Sequence, residues 1–172
     1  GSIGPCGPDT EMFYDTGKKP SGKDCKPGCS CGKYVEIWND VFMQYNKTSE
    51  GNYELLRQRN VDTGMGVERT VAMLQNKKSV YEIDSFKPLV EKIKETTKIK
   101  SLNDSQERSV RIIADHIKAS SFVLSEEISP SNVDRGYILR RLVRRSIRHG
   151  KLIGIEKEFL SDLVEIVIEI YE

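Results

Sequence analysis

The run KYVEIWNDVFMQYN, residues 33 to 46, restricts the fold more than any other stretch of the chain. Val35, Ile37, Asn39, Val41, Met43 and Tyr45 recur at every second position, with Tyr34, Glu36, Trp38, Asp40, Phe42 and Gln44 between them. That period of two predicts a long β-strand. KTSEGN (47 to 52) has turn composition, and YELLRQ after it reads as the returning strand of a hairpin whose loop exceeds two residues. Residues 4 to 32 are rich in Gly, Pro, Lys and Asp and read as loop, with EMFYD (11 to 15) as one short strand.

Beyond residue 66 the period changes. Val67, Val71 and Leu74 follow helical spacing to about Gln75. Residues 81 to 95 and 104 to 124 are expected to be helices. The second opens on Asp104 with Glu107 three residues later, a capping-box pattern, and buries Val110, Ile113, Ala114 and Ile117. SEEISPSNVDRG (125 to 136) is a polar connection. YILRRLVRRSIRHG follows, with Gly150 at the expected C-cap, and EKEFLSDLVEIVIEIYE is a last helix with apolar residues on more than one face. Such a helix is expected to pack between partners, through self-association or within a longer protein. The expected class is α+β, with a sheet-bearing part to residue 80 and a helical part from 81 to 172.

Composition excludes little by itself. The chain has 172 residues and is 37% hydrophobic, enough to bury a core, and its formal net charge of +1 leaves any nucleic-acid argument to local charge. No apolar run reaches the roughly 18 residues of a membrane span and no secretion signal opens the chain, so cytoplasm is the expected compartment. Gly1-Ser2 reads as a cloning scar. Cys25, Cys29 and Cys31 cluster as C-x3-C-x-C, away from Cys6. Three such thiolates suit Zn2+ if Cys6 or water supplies a fourth ligand; the alternative is three reduced thiols in a Gly/Pro/Lys loop.

The segment NVDTGMGVER (60 to 69) poses the functional question. It lacks the G-x4-G-K-[ST] spacing and the Lys of a phosphate loop, and Arg69 stands where the dinucleotide fingerprint requires its third glycine. A glycine-permitted approach of backbone remains, flanked by Asp62 and Arg69. Asn39 interrupts an apolar row, and a buried amide there needs partners or costs on the order of 1–3 kcal/mol. Asn39 and Val41 point the same way, so they are candidates for a pocket floor that Asp62 faces.

GPCGPDTEMFYD, EIWNDVFMQYN, NVDTGMGVER and PSNVDRGYILRRLVRRSIRHG, in this order, resemble successive signature segments of the alanyl-tRNA synthetase family of class II, from Gly4 to about Gly150. The resemblance implies a portion of the class II antiparallel sheet (4 to 80, with motif 3) followed by the start of a helical tRNA-recognition domain (81 to 172). It implies that Asn39, Val41, Asp62 and Gly64 line an alanine pocket, with Asp62 on the ammonium and Trp38 and Gly66 in support, and that Arg69 binds ATP. The implied activity is ATP- and Mg2+-dependent formation of alanyl-adenylate and transfer of alanine to tRNA(Ala). One methyl group is worth only about 1–3 kcal/mol of selectivity, so the family also needs editing. Its motifs 1 and 2 lie upstream of GPCGP. This chain is therefore expected to need a missing N-terminal half of the catalytic domain and to be unable to form the adenylate alone. Asp9 departs from the family, which often has cysteine there.

The arginine helix is the expected RNA-facing element. Arg140, Arg144 and Arg148, with Arg141 and Arg145, form a cationic face, Leu139, Leu142, Val143 and Ile147 the buried side, and no acid occurs from Gly136 to Gly154. A solvated surface helix is the alternative. The resemblance sets this helix beside the tRNA acceptor stem, with Asn132 at its G·U pair and Arg135, Arg140, Arg141 and Arg144 as phosphate contacts. His116 and His149 lack metal-ligand spacing and read as structural or RNA-adjacent.

Overall fold

A computed structural model describes residues 3–172; Gly1 and Ser2, read as a cloning scar, lie outside the described residues. The chain divides into two compact units, Gly1–Val80 and Tyr81–Glu172. Together they have the expected α+β class.

The first unit is built on one strand. β3 (Tyr34–Lys47) takes β1 (Gly4–Cys6) and β2 (Asp9–Asp15) along one edge and β4 (Tyr53–Met65) along the other, all antiparallel. Residues 4 to 15 are thus more strand than loop: weak local propensity yields where β3 offers backbone partners. Gly7 sits between β1 and β2, where a Cβ would overlap the carbonyl of Phe42, and the Phe42 N–H donates to the Pro8 carbonyl (2.8 Å). The β3–β4 turn is closed by Thr48 N–H to the Asn52 carbonyl (2.9 Å), with Gly51 at φ 88°.

β4 runs well beyond YELLRQ. Its register slips between Met43 and Tyr45 of β3, which face Asn60 and Leu55, so residues 56–59 bulge before pairing resumes. NVDTGM is therefore strand, and the corner comes at Gly66, whose N–H donates to the Ile37 carbonyl (3.0 Å). Helix α1 (Val67–Leu74) follows. Its inward side is Ala72 with Met73, which share a cavity with Val35 and Ile37, whereas Val67 and Leu74 of the expected stripe are exposed.

The second unit is helical: a 3-10 turn (Val80–Glu82) leads to α2 (Lys87–Thr96), α3 (Asp104–Ser125), α4 (Asp134–Leu152) and α5 (Leu160–Tyr171). Where one helix was expected from 81 to 95, α2 starts only at Lys87, with Pro88 in its first turn, where the missing N–H costs nothing. The capping box of α3 is formed one residue earlier than expected: Asn103 accepts from the Gln106 N–H and Gln106 accepts from the Asn103 N–H, both at 3.0 Å. Val110, Ile113, Ala114 and Ile117 are buried as expected.

Gly150 is not a C-cap. It lies inside α4, fully buried, and a Cβ there would come within 2.6 Å of the Phe159 ring; the helix stops at Leu152, with Gly154 at φ 76°. The buried line of α4 is Gly136, Leu139, Ser146 and Gly150, with Leu142 and Val143 half-buried and Ile147 exposed. Of the expected aliphatic side Leu139 is fully buried. The small residues admit close neighbours, Gly136 the Ser129 carbonyl and Ser131 and Gly150 the Phe159 ring, while α3 packs along the helix.

Candidate functional site

The β3–β4 register assembles the first group of candidates. Asn39 pairs with Gly64 and Val41 with Asp62. Residues directly opposite each other project from the same face of a sheet, so the four form one patch. On the far side of β3, Glu11 pairs with Asn39 and Asp9 with Val41, adding two carboxylates to the same face. Asn39 is half-exposed rather than buried, and its Nδ2 donates to Glu11 Oε1 (3.3 Å). Water reaches the amide, so the burial cost expected for it does not arise.

Gly64 contributes by lacking a side chain: a Cβ there would meet nothing within 4 Å. The patch is open above this glycine, and the chain's own packing does not demand it. On the opposite face Trp38 Nε1 donates to Thr63 Oγ1 (2.6 Å), a diagonal bond that pins the register on which the patch depends.

Arg69 stands where α1 meets the patch. It shares the cavity beneath α1 with Ile37, the next residue of the Asn39 row, and its Nη1 donates to the Glu36 carbonyl (3.0 Å). Among the described residues its other guanidinium N–H groups make no hydrogen bond. Gly66 lies under the Arg69 stem, with Cδ 3.3 Å from where a Cβ would be, so a side chain there would push the arginine aside.

The second group lies in the helical unit. At Gly136 a Cβ would overlap the Ser129 carbonyl and the Ser131 hydroxyl; because none is present, Ser131 N–H bonds the Gly136 carbonyl (3.0 Å) and the PSN turn folds onto α4. This brings Asn132 to Arg140, whose Nη1 donates to the Asn132 side-chain oxygen. Arg135, Arg141, Arg144, Arg145 and Arg148 are exposed, and Arg140 and Arg141 each stand 5.7 Å from the Tyr137 ring centre. Among the described residues no arginine of α4 forms an ion pair.

The histidines lie in the α3–α4 packing. His149 Nδ1 is 3.0 Å from Ser109 Oγ, and its pKa is lowered by burial and by the nearby charges of Arg145 and Arg148. His116 is buried, with Nδ1 3.0 Å from Asp115.

Cys25, Cys29 and Cys31 converge, with Sγ separations of 3.7, 3.6 and 2.8 Å, and the Cys31 thiol is held down to about 6 by hydrogen bonding from Cys29 and from the Lys33 backbone N–H. Cys6 is no partner to them. It pairs with Tyr45, whereas the cysteine loop joins β3 at Tyr34, roughly 35 Å away along the strand at about 3.3 Å per residue.

Reasoning from the sequence missed Asp9 and Glu11 as members of the patch. Both lie in the GPCGPDTEMFYD segment, but only pairing with β3 places them in the patch.

A family model described as tRNA synthetases class II (A) matches residues 1–172. An alanine-tRNA ligase of Borrelia hermsii is 55% identical over 175 residues, covering 100% of this chain and 30% of its own length. One of Treponema pallidum is 55% identical over 174 residues, covering 99% and 29%. One of Clostridioides difficile is 45% identical over 170 residues, covering 97% and 19%. The chain spans less than a third of the length of these curated relatives.

Proposed function

Since the chain belongs to the class II (A) tRNA synthetases, we propose that it carries one wall of the aminoacylation site of an alanine-tRNA ligase together with a surface for the tRNA(Ala) acceptor stem. In this reading residues 4–80 are the C-terminal portion of the catalytic domain, working with an N-terminal half, and residues 81–172 begin the tRNA-recognition domain. The observation that carries it is the register: Asn39, Val41, Asp62 and Gly64 share one open patch with Arg69 at its border.

The chemistry follows from the side chains. Alanine brings an ammonium, a carboxylate and one methyl group. Asp62 takes the ammonium, Val41 meets the methyl, and the space above Gly64 lets the backbone of a small substrate lie flat. Asp9, in line with Val41 and Asp62, adds negative potential on the ammonium side, and Glu11 orients the Asn39 amide, leaving its oxygen for a substrate donor. MgATP is the co-substrate. Arg69, braced on the Glu36 carbonyl, offers fixed N–H donors to its phosphates, and a charge held in place before reaction favours the developing negative charge at no reorganisation cost. The substrate carboxylate attacks the α-phosphate and pyrophosphate leaves; no side chain of the patch acts as nucleophile. We assign no reacting role to Cys25, Cys29 and Cys31, which lie beyond the Asp15–Tyr34 end of the hairpin.

In the helical unit the unpaired arginines supply sequence-independent phosphate contacts, and the Asn132–Arg140 pair sits at their N-terminal end for reading a base-pair edge. The Phe122, Ile168 and Tyr171 strip, with exposed Ile168 and rings 4.9 Å apart, is the surface we assign to association through α5.

Alanine-dependent pyrophosphate exchange by the full-length ligase tests the reading. Asp62→Ala is expected to raise KM for alanine at least about 30-fold, the cost of leaving a bound ammonium unpaired, with KM for ATP little changed. An unchanged KM for alanine defeats it. A second reading, a non-catalytic RNA-binding module, draws on the unpaired arginine face; it predicts salt-dependent tRNA binding with no exchange activity even in the full-length protein.

A further inference from the structure

The loop joining β2 to β3, residues 16 to 33, has no apolar core of its own. TGKKPSGKDCKPGCSCGK contains no Val, Leu, Ile, Met or aromatic residue, and of residues 17 to 30 all but Cys25 and Cys29 are exposed. Structureless loops of this length are uncommon in compact domains unless something ties them down. The base of this one is tied: the Thr16 N–H donates to the Lys33 carbonyl (2.8 Å), Thr16 Oγ1 to the Gly32 carbonyl (3.0 Å), and Lys33 pairs with Asp15 (2.9 Å). Its interior holds only the three thiols.

Backbone geometry aims those thiols at one point. The Cys25 N–H bonds the Gly22 carbonyl (3.3 Å) and the Cys29 N–H bonds the Lys26 carbonyl (3.1 Å), making two tight turns. Gly28 (φ 88°) and Gly32 (φ 75°), immediately before Cys29 and after Cys31, take the left-handed conformations that reverse the chain around the sulfurs. Ser21 also lies close enough to the sulfurs for its hydroxyl to help lower the Cys31 pKa.

Sulfurs bound tetrahedrally to zinc at about 2.3 Å lie about 3.8 Å apart. The Cys25–Cys29 and Cys25–Cys31 separations, 3.7 and 3.6 Å, already match, and Cys29 and Cys31, at 2.8 Å, need only a side-chain rotation to open. Three thiolates around a divalent ion carry net negative charge, and the loop offers Lys18, Lys19, Lys23 and Lys26 against a single acid, Asp24.

We propose that Cys25, Cys29 and Cys31 bind one zinc-class ion through three thiolates, the fourth position falling to water or the Ser21 hydroxyl, and that this ion is the core of the loop. The site is structural. Its loop joins β3 at Tyr34, five residues short of Asn39, or roughly 17 Å along the strand. It stands independently of the aminoacylation reading.

The test is metal binding by the whole chain, reduced and stripped with chelator. Zinc added back is expected to be retained at one ion per chain after desalting. Cobalt(II) in its place is expected to give sulfur-to-metal charge-transfer bands and the intense visible bands of a tetrahedral ion. Cys25→Ser, Cys29→Ser and Cys31→Ser are each expected to weaken zinc at least about tenfold in competition with a chromophoric chelator. Ser21→Cys is expected to strengthen the charge-transfer band by adding a thiolate. Because the loop holds no helix or strand, an unchanged far-ultraviolet spectrum verifies that each variant is folded. A wild-type chain that retains no zinc, a pale octahedral cobalt spectrum, or cysteine variants that bind as tightly as wild type overturns the proposal.

Discussion

The two units bury their apolar residues very differently. Among the described residues Ala72 is the one buried hydrophobic residue of the first unit, whereas Ile83, Leu89, Ile93, Val110, Ile113, Ile117, Leu139, Ile153 and Leu163 of the second are at most 1–2% exposed. In the sheet unit Phe42, Tyr53, Leu55, Val61 and Met65 all stand open to solvent. Yet the sheet unit holds the cluster that resembles a substrate site. A surface kept open for ligand and partner cannot also be a core, and the helical unit closes a core of its own while leaving its Phe122, Ile168 and Tyr171 strip exposed.

Several experiments press on that contrast, and separating the units has the largest expected effect. A chain of residues 81–172 is expected to unfold cooperatively on heating, followed by circular dichroism at the helical band. A chain of residues 1–80 is expected to show no sharp transition. If both melt with the same sharpness, the contrast is wrong.

Core truncation comes next. Ile113→Ala, at a fully buried site in α3, is expected to cost about 2–5 kcal/mol in denaturant unfolding. Val61→Ala, at an exposed strand position, is expected to cost within about 0.5 kcal/mol. Gly150→Ala probes the packing of α4 against the Phe159 ring. Despite alanine's better helix propensity, the variant is expected to lose about 1–3 kcal/mol because the ring must move. A stabilised variant there would show that the α4–Phe159 contact is loose.

The smallest effect is a pH dependence confined to the helical unit. Burial and nearby arginines lower the pKa of His149, so below its ordinary value of 6.5 the unfolded chain binds more protons than the folded one. Stability of residues 81–172 is therefore expected to fall as pH drops below about 6.5 and to be unaffected by His149 above it. His149→Gln is expected to flatten that slope; an unchanged slope moves its origin to another group.

Legibility in the sequence also differs between the units. The α3 stripe was readable because all its contacts fall on one helix face at a fixed period. Its cap was misplaced by one residue, since Asn103/Gln106 and Asp104/Glu107 satisfy the same pattern and only backbone geometry selects between them. In α4 Leu139 is buried as its spacing suggested, but Gly136 and Gly150 joined it because the PSN turn and the Phe159 ring, distant or irregular in sequence, close on them. In the sheet, period two correctly identified β3, while the length of β4 and the strand character of residues 4–15 depended on partners distant in sequence.

Local order determined the strand-then-helix plan, the absence of a phosphate loop from NVDTGMGVER, the uncompensated arginines and the cysteine spacing, because each is a property of neighbours along the chain. The tertiary structure alone decided that Asn39 meets Gly64 and Val41 meets Asp62, that Asp9 and Glu11 join them, that the PSN turn folds onto Gly136, and that Cys6 stands apart from the other thiols. Register and packing are set by hydrogen bonds and contacts between distant segments, and a one-residue slip along β3 would carry every side chain of the patch to the opposite face.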